Sequence, residues 1–385
     1  MLINLRNALM SGKRLPYDAE VEYLESTGTQ WINTGVNGAA DLYYSLTIQP
    51  TYSSGDRKYF GSYPSGLTLA QLNGNWRFLE RNWILSSVAV DSTTASVVER
   101  RSDGLYVNGA KVADIWDGAR ASTGLILFGQ RTDSGVSLSY CRVYACKIYL
   151  GAVLVRDYIP VRKGTVGYLY DRVSGKLFGN AGTGDFLYGQ DVVPVEYIES
   201  HGTEYIDTGV MSSRCYGAYL DFKAIDFTSY MFFVSNATAD DFCVGTNANS
   251  TVNPYSGRIR RSLWYSGSID KTAFVALSCK GGKILLNDVE KGTYDDTLPL
   301  AQNDNTIRMF GLSGTQRLSK SAIRRLDLYD SSQEAIFKAL PVRVGTDATS
   351  WEGAMMDTLT RRIYRNAGTG AFTYGNDLKY PIPAE

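Results

Sequence analysis

The chain contains an internal repeat. Residues 21–36 read VEYLESTGTQWINTGV, and 174 residues later residues 195–210 read VEYIESHGTEYIDTGV, with 11 of 16 positions identical. Further matches follow in the same order: residues 127–129 with 309–311, 159–162 with 340–343, and 180–186 with 366–372. Self-similarity on this scale predicts two copies of one domain, at residues 19–190 and 191–385, preceded by a short segment at residues 1–18.

Within each copy the hydrophobic period is that of β-strands. Tyr44, Leu46 and Ile48 alternate with polar or partly polar residues, which predicts a strand with one buried face. The same alternation places Cys141, Val143 and Ala145 on one face of a later strand, and Leu326 and Leu328 on one face in the second copy.

Turn signals separate the predicted strands. Asn108-Gly109 between two apolar triplets predicts a two-residue hairpin, because both central residues of that turn need a positive φ. Many short strands at this spacing predict an all-β, antiparallel sandwich in each copy.

Composition excludes several classes of function. Lys+Arg and Asp+Glu both total 39, so the chain lacks the net positive charge typical of nucleic-acid binders and polybasic membrane binders. No apolar run approaches the roughly 18 residues of a membrane span, so we expect no membrane insertion. His201 is the single histidine, which argues against a serine or cysteine triad and against a zinc site.

The opening and closing motifs of the copies resemble a known family. Residues 22–35, together with residues 147–162 and 177–184, resemble the start and end of concanavalin A-like, laminin G-like domains in proteins of gut bacteria and their phages. The resemblance implies two tandem antiparallel jelly-roll sandwiches. Residues 5–10 resemble the leader that precedes such domains in phage virion proteins, such as head fibres or other capsid and tail appendages.

Paired carboxylates are the residues that a glycoside hydrolase of this fold would need. Asp18, Glu20 and Glu22 alternate, which on a strand puts them on one face about 7 Å apart. The second copy keeps only Glu196 of this triplet, matching Glu22. We therefore expect no catalytic residues, with a charged edge strand as the interpretation of the triplet. A carbohydrate-active enzyme using Glu20 and Glu22 is the alternative.

No cofactor is expected. Calcium is the one ion to weigh, through Asp240-Asp241 or Asp295-Asp296, but neither pair lies in a loop with ligand-spaced oxygens.

Aromatic side chains in loop-rich stretches are candidate glycan contacts, because a ring offers an apolar face to a sugar and a polar edge for hydrogen bonds. The alternative is that the rings fill the core between the sheets. The candidates are Trp76, Trp83, Trp264 and Tyr265.

The N-terminal segment has no counterpart before the second copy. Leu2, Leu5 and Leu9 form one stripe of a short helix, with Arg6 beside it. A helix this short is marginal in water, so it needs a partner. We expect these four residues to dock the chain to other virion proteins or to further copies of itself; packing on its own domain is the alternative.

These features together predict a non-enzymatic structural and adhesion protein of a bacteriophage virion. We expect a homo-oligomer that is assembled in the bacterial cytoplasm and presents its sandwiches to host-surface glycans. The alternatives are a carbohydrate-active enzyme or a free lectin of a gut bacterium.

Overall fold

The computed structural model describes residues 15–225, 231–236, 242–246, 252–256, 272–300, 304–311, 318–345 and 350–378. In these ranges the secondary structure is antiparallel β-strand apart from a single 3-10 turn, Ser212–Arg214, and one short parallel pairing. The prediction of an all-β chain is confirmed. None of the described residues forms a helix that is long and apolar enough to cross a membrane.

The chain divides into two compact units, Met1–Asp191 and Val192–Glu385, one residue past the boundary expected from the repeat. They are called unit 1 and unit 2 below. The strands of unit 1 are β1 (Ala19–Val21), β2 (Leu24–Thr27), β3 (Ile32–Asn37), β4 (Leu42–Pro50), β5 (Asp56–Ser62), β6 (Leu67–Leu72), β7 (Asn75–Leu79), β8 (Trp83–Ala89), β9 (Ser96–Arg101), β10 (Gly104–Val107), β11 (Ala110–Ala113), β12 (Gly124–Leu127), β13 (Gly129–Thr132), β14 (Gly135–Leu138), β15 (Tyr140–Leu150), β16 (Val153–Lys163), β17 (Val166–Asp171), β18 (Lys176–Phe178) and β19 (Leu187–Tyr188).

Two sheets make up unit 1. The first runs β11-β10-β9-β4-β15-β16-β17-β18, with β1 on β16 and with β2 between β15 and β19. The second runs β14-β13-β5-β6-β7-β8, and β12 joins β3 to β5.

Unit 2 repeats this plan. Its strands are β20 (Asp191–Pro194), which begins at the boundary, β21 (Ile198–His201), β22 (Ile206–Met211), β23 (Gly217–Ala224), β24 (Met231–Ser235), β25 (Phe242–Thr246), β26 (Val252–Ser256), β27 (Val275–Lys280), β28 (Lys283–Leu286), β29 (Val289–Thr293), β30 (Thr306–Met309), β31 (Lys320–Tyr329), β32 (Ala335–Gly345), β33 (Trp351–Asp357), β34 (Ile363–Tyr364) and β35 (Thr373–Tyr374). One sheet runs β29-β28-β27-β23-β31-β32-β33-β34, with β21 on β31 and β35. The other runs β22-β30-β24-β25-β26.

The hydrophobic core of each unit lies between its two sheets. In unit 1 Leu46 and Ile48 of β4 are fully buried, and the ring of Tyr44 meets Phe60 of the opposite sheet edge-on at 5.0 Å. In unit 2 Phe222 of β23 and Phe233 of β24 make a contact between the two sheets at 4.4 Å. The predicted inward face of β4 is confirmed, and each unit is a two-layer antiparallel sandwich.

A β-bulge corrects one predicted face. Val143 pairs with Ile48 and faces the core, but Ala145 pairs with Thr47 on the outer face. Tyr144 is the extra residue, and Cys146 takes the inward position that simple alternation gives to Ala145. A bulge shifts the period of two by one residue, which the apolar pattern alone does not show.

The predicted hairpin is confirmed and it recurs. Asn108 and Gly109 have φ values of 50° and 78°, and Asn287 and Asp288 of unit 2 have 49° and 63°. The Asn108 side chain also accepts a hydrogen bond from the backbone N–H of Val97 at 2.9 Å. Each turn therefore ties its hairpin to the neighbouring strand as well.

A strained phenylalanine occupies the same place in both units. Phe128 and Phe310 each have a φ of 67°, a left-handed conformation that costs about 1–2 kcal/mol for a residue with a Cβ. Both are fully buried, and their rings pack on Phe186 at 4.6 Å and on Phe372 at 4.9 Å. The packing of this aromatic pair stabilises the strained backbone.

The turn that follows β2 in unit 1 and β21 in unit 2 differs between the units in one charged group. In unit 1 the amide oxygen of Gln30 accepts the backbone N–H of Thr27 at 2.9 Å; in unit 2 the carboxylate of Glu204 accepts that of His201 at 2.8 Å. Burial raises the pKa of Glu204, but the bonds from His201, Thr203 and Ser200 outweigh burial and lower the pKa overall.

The lowered pKa predicts that acid weakens the turn of unit 2. A carboxylate whose pKa is depressed by folding stabilises the protein above its unfolded value, about 4.5, and this stabilisation is lost as the pH falls through the folded value. Glu204→Gln should therefore be less sensitive to acid than the wild type when the midpoint of thermal unfolding is followed from pH 7 to pH 3. The reciprocal variant Gln30→Glu should gain acid sensitivity, and parallel pH profiles for all three proteins would contradict the assignment.

Candidate functional site

Trp76 lies in the core of unit 1. It is fully buried on β7, where Trp76 and Phe78 face inward and Arg77 faces outward, and its ring meets Tyr59 at 5.9 Å. A sugar cannot reach this ring, so Trp76 is removed from the candidate glycan contacts. Of the two interpretations that its sequence position left open, core packing is the one that the structure has.

Trp83 lies on the outer face of the same sheet. The guanidinium of Arg77 sits 3.9 Å from the centre of its ring and the ammonium of Lys58 sits 5.4 Å away. Asp56 forms ion pairs with both cations, at 3.6 Å to Arg77. Leu85, two residues along β8 and therefore on the same face, is more than half exposed. The ring of Trp83 is thus partly covered by cations instead of standing free.

Most of the other predicted site residues lie outside the part of the chain that the structure describes. Trp264 and Tyr265 lie outside the described residues, as do the docking residues Leu2, Leu5, Arg6 and Leu9 and the pair Asp240-Asp241. Asp295 is described, and its carboxylate accepts the backbone N–H and the hydroxyl of Thr297. Within the described ranges no group of three or more His, Cys, Asp or Glu side chains is placed to hold a metal ion.

The structure brings together an exposed aromatic pair that no sequence motif indicates. Tyr52, after β4, and Tyr140, at the start of β15, are 52% and 36% exposed, and their rings meet edge-on at 5.1 Å. The guanidinium of Arg57, at the start of β5, lies 5.5 Å from the centre of the Tyr140 ring. Tyr52, Tyr140 and Arg57 are called the tyrosine platform below.

The tyrosine platform is held from beneath. The side-chain amide of Gln71, fully buried on β6, donates to the backbone oxygens of Tyr52 at 3.0 Å and Ser54 at 3.2 Å, and so fixes the loop that carries Tyr52. The ring of Tyr140 lies directly over Gly28, where a Cβ would come within 2.7 Å of it. Gly28 has a φ of 95°, so glycine is required there for both space and conformation. Both rings are therefore positioned before any ligand arrives.

The row beneath the platform is polar. Gln71 pairs in register with Arg57 on one side and Trp76 on the other. Four buried atoms here have no hydrogen-bond partner within the described residues: Arg57 Nε, Tyr59 OH, Gln71 Oε1 and Trp76 Nε1. Such groups are rare in protein interiors, because each costs free energy until water or another polar group meets it. A glutamine inside the apolar strand LTLAQL is the sequence signal that marks this region.

Two of the carboxylates considered for catalysis, Asp18 and Glu20, have structural partners, as does the buried Glu80. Glu20 is buried on β1 and accepts the hydroxyl of Tyr17 at 3.3 Å, and Asp18 accepts the backbone N–H of Gly164 at 2.7 Å. The buried carboxylate of Glu80 is bound by Arg100, at 2.9 Å, and by Arg120. Its second oxygen also accepts the backbone N–H of Trp116. These contacts stabilise strands and loops, and the two buried carboxylates, Glu20 and Glu80, are not the open pair that glycoside hydrolysis uses.

No protein-family model and no curated protein sequence matches the chain. Among solved structures, domains LG4-5 of the mouse laminin alpha1 chain superimpose with a TM-score of 0.27 and 13% identity, over 84% of this chain and 92% of that one. A candidate carbohydrate-binding protein from Bacteroides ovatus ATCC 8483 gives 0.32 and 11%, over 96% of each chain. The binding domain of botulinum neurotoxin DC, solved with rat synaptotagmin II, gives 0.24 and 10%, over 94% and 95%.

The first of these neighbours is the laminin G kind of domain that the sequence motifs resemble. At TM-scores of 0.32 and below the superpositions are loose, and no ligand or partner is carried over from them. The geometry of the tyrosine platform is independent of these superpositions.

Proposed function

We propose that the chain is a non-enzymatic adhesion protein that binds glycans on the tyrosine platform of unit 1. The observation that carries this proposal is the pair of exposed tyrosine rings, Tyr52 and Tyr140, fixed by the buried side chain of Gln71 and by Gly28. Exposing large aromatic rings to water is unfavourable, so a rigid exposed pair is typical of a binding surface.

The chemistry of the platform suits a sugar. The faces of tyrosine rings pack against the C–H groups of a sugar ring, while the phenol hydroxyls and the Arg57 guanidinium can hydrogen-bond its hydroxyl groups. Because both rings are already positioned, binding loses little side-chain entropy.

Unit 2 has no equivalent of the platform in its described part. Tyr140 pairs with Thr27 in unit 1, and the residue that pairs with His201 at the equivalent place in unit 2 is Lys320. A single platform of this kind gives weak binding, so strength would come from several chains engaging one surface together, as expected for a homo-oligomer.

Removing either ring should weaken glycan binding. Tyr52→Ala and Tyr140→Ala should each lower the affinity for the best-bound glycan of an array about tenfold, because stacking of roughly 1 kcal/mol or slightly more is lost. Titration calorimetry with that glycan measures the change.

Tyr63→Ala is the matched control, because Tyr63 is 51% exposed and lies outside the platform. It should bind like the wild type. Wild-type protein that binds no glycan, or platform variants that bind like the control, would contradict the proposal.

We further propose that this adhesion protein belongs to a bacteriophage virion, as a head fibre, capsid decoration or tail appendage. Support comes from the resemblance of the opening motif, the closing motif and residues 5–10 to such proteins. In this proposal residues 1–18 dock the chain to other virion proteins, with Leu2, Leu5, Arg6 and Leu9 in contact.

Deleting residues 1–16 tests the docking role. The shortened chain should fold, with a circular dichroism spectrum and thermal unfolding like the full chain, but it should be missing from purified particles when these are examined by mass spectrometry. Incorporation at the wild-type level would overturn the docking proposal, and a full-length chain absent from particles would overturn the virion assignment. A free lectin would instead sediment as a monomer that binds glycans.

Hydrolysis separates the proposal from the enzyme alternative. The full-length chain and Glu22→Gln should show no turnover on the glycans that the array identifies. Turnover by the wild type that is lost in Glu22→Gln would establish the enzyme instead.

A further inference from the structure

An aromatic ring is held at the same place in both units by the most similar parts of the repeat. The side-chain oxygen of Asn180 accepts the backbone N–H of Trp31 at 3.0 Å, and that of Asn366 accepts the backbone N–H of Tyr205 at 3.1 Å. A Cβ at Gly182 would come within 3.0 Å of the Trp31 ring, so the turn lies directly against it. The opening and closing motifs together fix this ring at the start of a strand.

A guanidinium accompanies each ring, but it comes from a different position of the repeat. Arg131 of β13 lies 5.9 Å from the centre of the Trp31 ring, and Arg308 of β30 lies 5.6 Å from that of Tyr205. Strand register shows that Arg308 corresponds to Ile126 in unit 1. The two units therefore share an arginine beside an aromatic ring although they do not share the arginine position.

The charge at the two surfaces differs. In unit 2 the Arg308 guanidinium is neutralised by Asp207, at 3.2 Å, which also accepts the hydroxyl of Thr306. The residue of unit 1 that corresponds to Asp207 is Asn33, which is uncharged and exposed.

Arg131 itself is only partly bound. Its Nε donates to the backbone oxygen of Gly124 at 3.0 Å, and no carboxylate in the described part of the chain forms an ion pair with it. The two terminal nitrogens of this guanidinium have no hydrogen-bond partner in that part of the chain, which leaves them to an anion.

We propose that the surface formed by Trp31, Asn33 and Arg131 binds an acidic sugar residue, one that carries a carboxylate. Arg131 pairs with the carboxylate through its terminal nitrogens, the Trp31 ring packs against the sugar ring, and the exposed Asn33 amide hydrogen-bonds a hydroxyl. The equivalent surface of unit 2 does not select an anion, because Arg308 already forms an ion pair with Asp207. This inference extends the proposed glycan binding by naming a ligand class at a second surface, separate from the tyrosine platform.

Two sugars that differ only at C6 test the inference. Methyl β-D-glucuronide carries a carboxylate where methyl β-D-glucoside carries a hydroxymethyl group. Titrated into the full-length protein, with the Trp31 indole N–H followed by NMR and assigned from Trp31→Phe, the glucuronide should bind about tenfold more tightly than the glucoside. Equal affinities, or no response at Trp31, would overturn the inference.

Asn33→Asp copies the charge balance of unit 2 into unit 1. It should lower the glucuronide affinity about tenfold and the glucoside affinity much less, since the new carboxylate repels the carboxylate of the glucuronide. The fold should tolerate it, because Asp207 accepts the backbone N–H of Gly209 as Asn33 accepts that of Gly35.

Asn82→Asp is the matched control for net charge, since Asn82 is exposed in the turn between β7 and β8. It should bind both sugars like the wild type. A loss of glucuronide affinity equal to that of Asn33→Asp would overturn the inference, because the effect would then come from overall charge.

Tyr52→Ala separates this inference from the proposed function. The variant should lose platform binding and keep the glucuronide response at Trp31. A glucuronide response that disappears in Tyr52→Ala would place the anion on the platform and would overturn the second surface.

Discussion

In each unit the side-chain oxygen of one asparagine joins the end of the domain to its beginning. Asn180 bonds the backbone of Trp31 across 149 residues of chain, and Asn366 bonds that of Tyr205 across 161. The same oxygens accept the backbone N–H of Gly182 and Gly368, so one atom both shapes the closing turn and holds the opening strand. Backbone hydrogen bonds from Ala181 to Trp31 and from Ala367 to Tyr205 lie beside these contacts, so the asparagine completes a link whose loss would loosen the start of the opening strand.

The two units share these asparagine hydrogen bonds but differ in the side chains on their surfaces. Tyr140 in unit 1 corresponds to Lys320, and Asn33 corresponds to Asp207. The interior varies as well: Arg100, which binds Glu80, corresponds by register to the buried Cys279 of unit 2. Duplication therefore produced one backbone plan with two sets of surface chemistry, and the proposed glycan contacts lie on unit 1.

Sequence patterns predicted the parts of the structure that depend on local chemistry. The alternation on β4 predicts its buried face, and Asn108-Gly109 predicts its hairpin, because both follow from a few neighbouring residues. The bulge at Tyr144 reverses the predicted face of Ala145, since it depends on how two strands pair.

The candidate site was harder to predict, because it depends on which strands become neighbours. Trp76 is a predicted glycan contact, but it is buried. The sequence around a tryptophan in a short strand does not show which face of the sheet carries the side chain. Tyr52 and Tyr140 meet only after folding brings the ends of β4 and β15 together. The buried Gln71 is a residue whose type, in an apolar strand, is a sequence signal for the region, although it is not among the predicted site residues.

Amide hydrogen exchange at Trp31 and Tyr205, followed by NMR on the full chain, tests most directly whether the closing turns hold the opening strands. Both N–H groups lie at the edge of a sheet, where an amide without a protein acceptor exchanges rapidly. The two amides should exchange slowly and to a similar degree, and Asn180→Ala should speed exchange at Trp31 while Tyr205 stays protected. Rapid exchange at either position in the wild type, or an unchanged rate at Trp31 in Asn180→Ala, would contradict the shared framework.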